Sequence, residues 1–391
     1  MGLYFGTVFA SSFFVPYFVL LWQKPGELAM GSPFADMRQM TSAFECSRLG
    51  NDVLIENLCD PWKRPFDYPR VWTILSTLNI GEQNTIPLGV LAVSLFFVAV
   101  YFVIGFLNNA EVVVYLMILL SPSALLAVER GNNDLIIFFL SVMSLLAISS
   151  RRSLIQIFGY FLLFLSAILK LYPIAALVVA FREGRKKALV ITSFLLFCFA
   201  FYVGATLGDI HVIVQHLQIV DPGYAYGTAA IFLLSGHFWS TLLPPFFLKI
   251  AGFLFLTLTI FVTIFFFKKW RKFFGIEEIS DIYYERFIHA CFIFGAGIYT
   301  STYLLGLNYD YRLIFLILTV PELLLWIKRN DQASVYASLA LLGIVATLWL
   351  SRWSYHLFYV DEAVNFTLFV YFLSYLLGFL STRIQAKTVP S

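Results

Sequence analysis

A lysine lies inside an apolar run of the sequence, "SAILKLYPIAALVVAF" (residues 166–181), and Tyr172 and Pro173 follow it closely. Ionisable side chains at membrane depth are costly and usually functional. Proline removes a backbone donor and pushes the residue before it away from helical geometry. We therefore predict that a helix breaks near Lys170. A buried ammonium is best explained if it meets an anion, and a phosphate carried on a lipid can reach it from the bilayer.

Two further stretches, "ERGNND" (129–134) and "NYDYR" (308–312), place charged groups against apolar sequence. Arginine can bind phosphate oxygens as a fork, and lysine acts on them as a point charge. Each stretch also has an ordinary structural explanation. The first could be a polar turn in which Gly131 provides the bend, and Arg312 could snorkel and pair with a neighbour. The candidate site residues in these stretches are Glu129, Arg130, Asn132, Asp134, Asp310 and Arg312.

A long polar segment, residues 23–85, contains most of the remaining candidates. Asp36 opens a stretch with helical spacing (36–49) and could be a catalytic carboxylate or simply a first-turn acid. Arg38 could bind a ligand or be a solvated cation. Cys46 and Cys59 could form a disulfide, if the segment is extracytoplasmic, or remain two thiols. A second helix, 71–78, is expected at the membrane interface.

Metal, thiol and nucleotide chemistry have no support in the sequence. The five histidines have no metal-ligand spacing, and the HExxH, P-loop and GxSxG signatures are absent. His237 could line an outer cavity or be an ordinary loop histidine. A net charge of +3 is too small to indicate nucleic acid binding. We expect no cofactor and no metal.

The elements that must position these residues are membrane helices. The 391-residue chain is 60% hydrophobic, only 13% charged, and has a mean hydropathy of +0.83. Its apolar runs are long enough to cross a bilayer, and the first is interpreted as a retained helix rather than a signal peptide. We predict one multi-pass domain over 1–391, with spans near 4–22, 86–107, 111–127, 132–150, 154–182, 187–207, 241–267, 286–304, 311–327, 333–350 and 364–381.

Basic clusters between the spans predict the orientation of the chain. They occur at 151–152, 182–187, 268–272, 328–329 and 383–387, and short basic loops favour the cytoplasmic side. All five lie on that side only if 154–182 enters and returns as two short helices. The same arrangement places the 23–85 loop and the polar stretches together on the opposite face. Two independent patterns thus favour one topology.

Five stretches occur in a recognisable order: "SPFADMR", "DPWKRPFDYPRVW", "SALLAVERGNND", "AILKLYP" and "NYDYRLIFL". Together they resemble the polyprenyl-phosphate-sugar-dependent glycosyltransferases of family 87, over nearly the whole chain. There are departures: Tyr68-Pro69-Arg70 stands where the family has Tyr-Pro-Pro, and "RGNND" has asparagine where glutamine is usual. These departures concern the sugar and the acceptor more than the type of reaction.

The resemblance implies an all-α integral membrane protein with a GT-C-like bundle of about 11–12 transmembrane helices, a broken or re-entrant pair and a helical first extracytoplasmic loop. It implies transfer of a sugar, as in mannosyltransferases of cell-envelope glycans, from a polyprenyl-phosphate donor to a lipid or glycan acceptor. The site would face outward from a bacterial inner membrane. Asp36 would be the general base of an inverting displacement, and Lys170, Tyr172 and Arg312 would bind the donor phosphate. The remaining residues implied to bind or orient sugar or acceptor are Arg38, Tyr68, Glu129, Arg130, Asn132, Asp134, Asp310 and His237.

Two other functions remain open from the sequence. A lipid or sugar transporter or flippase also uses broken helices and intramembrane charges, although no internal repeat is visible and the long loop bearing Asp36 is unexpected for one. A non-catalytic membrane assembly subunit could keep the same fold.

Overall fold

The computed structural model describes residues 33–105, 109–216, 225–228, 257–258, 261, 283–306, 308–329, 331–350 and 355–385. The described residues are overwhelmingly helical. The α-helices are α1 (Ala35–Arg48), α2 (Thr85–Ile104), α3 (Asn109–Leu119), α4 (Pro122–Arg130), α5 (Asp134–Ile148), α6 (Ser153–Leu169), α7 (Arg185–Ala205), α8 (Leu207–His216), α9 (Tyr283–Leu304), α10 (Val320–Ile327), α11 (Gln332–Leu350) and α12 (Tyr355–Gln385). The 3₁₀ helices are Arg70–Leu78, Glu82–Asn84, Tyr172–Glu183 and Asp310–Thr319. Two short antiparallel strands, β1 (Ala225–Tyr226) and β2 (Asn308–Tyr309), pair with each other.

The chain is an all-α membrane protein. Five helices in the described ranges are long and apolar enough to cross a bilayer, and a bent pair, Glu111–Leu119 with Pro122–Arg130, would make a sixth span. The total of about 11–12 spans stays a prediction, since the expected span 4–22 and almost all of 241–267 lie outside the described residues.

The expected break in 154–182 is present. Helix α6 ends at Leu169, Lys170 has an extended backbone (φ −159°, ψ 109°), and a 3₁₀ helix begins at Tyr172. The return of the chain to the same face stays a prediction. Two expected spans are less regular than predicted. Residues 111–127 bend by 53° at the start of α4, where Pro122 cannot continue the preceding hydrogen-bond ladder, and 311–327 begins as a 3₁₀ helix.

The chain divides into two compact units. The first contains the described residues of 33–105, 122–174 and 195–216. Helices α5 and α6 pack against each other closely at Gly159, because its missing side chain lets the backbone approach: a Cβ there would lie 2.7 Å from the Ile148 nitrogen. The Ser144 hydroxyl donates to the Gly159 carbonyl at 2.8 Å.

The second unit contains the described residues of 109–121 and 175–194 and those from 225 onward. Helix α9 is almost entirely buried in it and packs against the 310–319 helix and α12. Aromatic rings fill this contact, with the Phe292 ring centroid 4.7 Å from that of Tyr375. The Tyr299 hydroxyl donates to the Asn365 side chain at 2.9 Å, which joins α9 to α12.

Candidate functional site

Asp36 is a buried carboxylate in the first turn of α1, where the partial positive charge of a helix N-terminus favours an anion. Its Oδ1 lies 3.3 Å from Arg130 Nε and 3.7 Å from an Arg64 terminal nitrogen. Its Oδ2 accepts a 2.6 Å hydrogen bond from Asn132 Nδ2. Both oxygens therefore have positively polarised neighbours.

Arg64 is a site residue that sequence reasoning missed. Its guanidinium binds both oxygens of Asp60 at 3.0 and 3.1 Å and donates to the Ala35 carbonyl at 2.7 Å. The Trp62 ring lies 4.7 Å from the guanidinium carbon. The Asp60–Arg64 pair thereby connects the loop to the first residue of α1. The available signal was the i, i+4 spacing of the two residues in "DPWKR".

Lys170 is buried, and Asp134 is its counter-ion, with Nζ 2.6 Å from Asp134 Oδ1. The same ammonium donates to Asn133 Oδ1 at 2.6 Å and lies 5.3 Å from the centre of the Tyr68 ring. The Tyr172 hydroxyl also donates to Asp134 Oδ1, at 2.6 Å. Asn133, which the sequence did not single out, completes this group.

Asn132 connects the two carboxylate clusters. Its Nδ2 donates to Asp36, while its Oδ1 accepts the Asp134 backbone N–H at 2.9 Å and lies 3.5 Å from Lys170 Nζ. The side chain has no exposed surface. The turn between α4 and α5 thus fixes the spacing between Asp36 and Lys170.

The geometry of that turn depends on Gly131, which has φ +57°. A Cβ at Gly131 would lie 2.9 Å from Cδ1 of Phe34, and one at Gly89 would lie 2.3 Å from the Phe34 ring. Phe34 N–H in turn donates to the Glu129 carbonyl at 3.0 Å. The Phe34 ring therefore packs against two glycines directly before the helix that carries Asp36.

Side chains from other elements satisfy backbone carbonyls at the end of α6, next to Lys170. The Trp72 indole N–H donates to the Leu169 carbonyl at 3.0 Å, and the Tyr202 hydroxyl donates to that of Ile168 at 3.1 Å. The last carbonyls of a helix have no partner within the helix, so donors from other elements satisfy them here. Trp72 thereby connects the long loop to the break.

Several bonds hold α1 on its loop. Cys46 and Cys59 form a disulfide, one of the two alternatives open from the sequence. The Gln39 amide donates to the Pro65 carbonyl at 2.7 Å, and the Thr41 hydroxyl contacts that of Thr85 at 2.7 Å. Asp36 is thus carried on a helix fixed at both ends.

The other predicted site residues lie outside this cluster. Arg38 forms an ion pair with Glu82, so it is neither a free solvated cation nor a neighbour of Asp36 in the observed bonds. In the second unit, Asp310 is buried and Arg312 donates to the Asn308 side chain. His237 lies outside the described residues.

Asp67 is a second carboxylate of the site that sequence reasoning missed. Asp67 is exposed to solvent, yet protein atoms crowd around its carboxylate. This enclosure raises the pKa of Asp67 to about 6, and the nearby Asp36 charge adds to the rise, while Lys170 and Arg64 oppose it.

No family model, curated protein or solved structure matches the chain. The arrangement of the side chains must therefore carry the functional argument.

The cluster offers two kinds of chemistry within one unit. Asp36 is a carboxylate held beside cations, and Lys170 is an ammonium directly after the end of α6. The paired groups balance in charge, with acids Asp36, Asp60 and Asp134 against bases Arg64, Arg130 and Lys170. Within the described ranges, no group of three or more His, Cys, Asp or Glu side chains could hold a metal ion.

Proposed function

We propose that this protein is a membrane glycosyltransferase that moves a sugar from a polyprenyl-phosphate donor to a hydroxyl of a lipid or glycan acceptor on the extracytoplasmic side. The observation that carries the proposal is the buried cluster in which Asn132 joins Asp36, at the start of a loop helix, to Lys170, at a helix break. Glycosyl transfer from a lipid phosphate needs a base for the acceptor and a cation for the leaving phosphate. This cluster contains both kinds of group, with Asp36 as the proposed base and Lys170 as the proposed cation.

The proposed reaction is a direct displacement. The acceptor oxygen attacks the anomeric carbon, and its proton passes to Asp36. The bond from that carbon to the phosphate oxygen breaks, and its electron pair leaves with the phosphate. The configuration at the anomeric carbon is inverted. A positioned general base typically contributes about 10²- to 10⁴-fold to the rate.

Within the first unit, the donor phosphate would be bound by Lys170 and Tyr172. Lys170 and Tyr172 both donate to Asp134 Oδ1. A bound phosphate would accept hydrogen bonds from these two side chains, either together with Asp134 or in its place. Fixed cations of this kind stabilise the charge that develops on a leaving phosphate.

The roles of the other predicted residues follow from their contacts. Arg130 and Asn132 would orient Asp36, which they contact directly. Asp134 would hold Lys170 in place until the donor binds, and Tyr68 would support the lysine from its ring face. Only the family resemblance supports a contact with sugar or acceptor for four further residues: Arg38, Glu129, Asp310 and His237.

Reconstitution tests the proposal. Purified protein in lipid vesicles is supplied with a panel of radiolabelled undecaprenyl-phosphate sugars and candidate acceptors, and labelled product is measured. Asp36→Asn is expected to lower the transfer rate by about 10²-fold or more. The matched control is Glu56→Gln, which removes an exposed carboxylate of the same loop. This variant should transfer sugar at the wild-type rate. Chromatography of each variant confirms that it is folded.

Three outcomes would contradict the proposal in different ways. Transfer that survives Asp36→Asn would remove Asp36 as the base. Movement of labelled donor across the vesicle membrane without any transfer would favour a transporter or flippase instead. No activity of either kind with the whole panel would favour a non-catalytic assembly subunit.

A further inference from the structure

Residues 66–68 form a well-packed segment that carries the Asp67 carboxylate. Phe66 and Tyr68 are buried, and their rings contact at 5.4 Å, edge to face. Phe66 N–H donates to the Val53 carbonyl at 2.8 Å. Asp67 lies between these anchored residues with its side chain exposed. Its position is therefore fixed although its surface is accessible.

The charged groups around Asp67 bind one another, and within the described part of the chain the one hydrogen bond to its carboxylate comes from its own backbone N–H. It interacts electrostatically with Asp36 of α1, Lys170 at the end of α6 and Arg64 of its own loop. Asp36 is bonded to Asn132, Lys170 to Asp134, and Arg64 to Asp60. Among the described residues, no other side chain forms a hydrogen bond or ion pair with Asp67. Its hydrogen-bonding capacity is thus open to a ligand.

A carboxylate at this place selects for some ligands and against others. It accepts hydrogen bonds from hydroxyl groups, and bonds to a charged acceptor are stronger than those between neutral groups. It repels a phosphate, because two negative charges at short range cost free energy. Asp67 therefore suits a hydroxyl-rich ligand beside Asp36 and opposes placing the donor phosphate at the same point.

We propose that Asp67 binds a hydroxyl group of the acceptor and so holds the acceptor beside Asp36. The inference rests on the proposed function, because it assigns one part of that site. It separates an acceptor side, marked by Asp67, from a donor side, marked by Lys170. The ligand class is a sugar or polyol that presents at least two hydroxyl groups, one for Asp67 and one for the reaction.

Steady-state kinetics of Asp67→Asn tests this assignment in vesicles, with undecaprenyl-phosphate mannose as donor and the acceptor found in the transfer panel. The KM for the acceptor is expected to rise by about 10- to 100-fold, because a hydrogen bond to a charged group is lost. The kcat is expected to change by less than about threefold, since uniform binding affects KM alone. Glu56→Gln is the matched control and should change neither constant.

The pH dependence gives a second readout. Because enclosure raises the pKa of Asp67 to about 6, the wild-type KM for the acceptor should rise as the pH falls through that value. The Asp67→Asn variant should lack this rise. An unchanged KM in the variant would overturn the inference, and so would a large loss of kcat at constant KM, because that result would place Asp67 in the chemistry.

A binding measurement separates failure of this inference from failure of the proposed function. Methyl α-mannoside binding to wild type and to Asp67→Asn, in lipid nanodiscs, is followed by saturation-transfer NMR. If the wild type transfers no sugar with any donor, the proposed function fails. If methyl α-mannoside binds the variant more weakly than the wild type, a hydroxyl site at Asp67 is still supported. If it binds both equally, or does not bind the wild type, the inference is refuted.

Discussion

Replacement of Lys170 by methionine is expected to destabilise the protein by about 3–5 kcal/mol, because it leaves the Asp134 carboxylate buried without its cation. The Asp134 side chain has no exposed surface, and its Oδ1 lies 2.6 Å from Lys170 Nζ. At that separation the gross attraction is about 6 kcal/mol for an effective dielectric constant of about 20. Desolvation of both groups offsets most of this attraction, so the ion pair itself contributes little net stability. The cost of the variant comes from the carboxylate left behind.

The double variant Lys170→Met/Asp134→Asn isolates that cost. It removes both charges, while the amide oxygen can still accept from the Tyr172 hydroxyl. We expect it to be more stable than the sum of the two single variants predicts by about 2–3 kcal/mol. The matched control is Lys187→Met. It breaks the exposed ion pair between Lys187 and Glu183, 3.0 Å apart, and should cost less than about 1 kcal/mol.

Urea titration in detergent micelles, followed by tryptophan fluorescence, measures the free energy of unfolding of each variant. If the two single losses simply add in the double variant, Lys170 and Asp134 are not coupled. That result would refute the description of Asp134 as the counter-ion of Lys170. A loss for Lys187→Met as large as for Lys170→Met would also refute it, because burial would then not matter.

Three further changes test the support of the site. Gly131→Ala should lower stability by about 1–3 kcal/mol, since it places a side chain at φ +57° against Phe34, and a thermal transition equal to wild type would contradict this. Asp67→Asn should raise the midpoint of thermal unfolding at pH 7.5 and leave it unchanged at pH 3.5. The folded pKa of about 6 exceeds the unfolded value of 3.8, so wild-type stability falls as the pH rises between these two values. A difference in midpoint that does not vary with pH would contradict this. Trp72→Phe should cost about 1–3 kcal/mol because the Leu169 carbonyl loses its donor, and increased exchange of nearby amides would locate the loss.

Much of the helical pattern could be predicted because hydrophobic runs alone define it. The expected spans 86–107, 187–207, 286–304 and 333–350 correspond closely to α2, α7, α9 and α11. The break at Lys170 was also predictable, because a lysine and a proline stand together inside one apolar run. The bend before Pro122 was missed even though proline was its cause, since no charged residue accompanied it in the sequence.

The candidate site was only partly predictable. Asp36, Arg130, Asn132, Asp134 and Lys170 stand out by type and position, and the structure brings them together. Asp67 gave no such signal, and Arg64 gave only its i, i+4 spacing to Asp60. In a polar loop a charged residue is ordinary, and only the tertiary packing of Phe66, Tyr68 and Trp72 shows which charges face the cluster.

The bridging amide of Asn132 has a consequence for the order of events at the site. An anion that drew Lys170 away from the Asn132 oxygen would loosen one end of an amide whose other end orients Asp36. Occupancy of the proposed donor position would thereby alter how firmly Asp36, the proposed base, is held. By thermodynamic reciprocity, an acceptor that engaged Asp36 would change donor affinity by the same factor. Through one asparagine side chain, binding of either proposed substrate would change the affinity for the other.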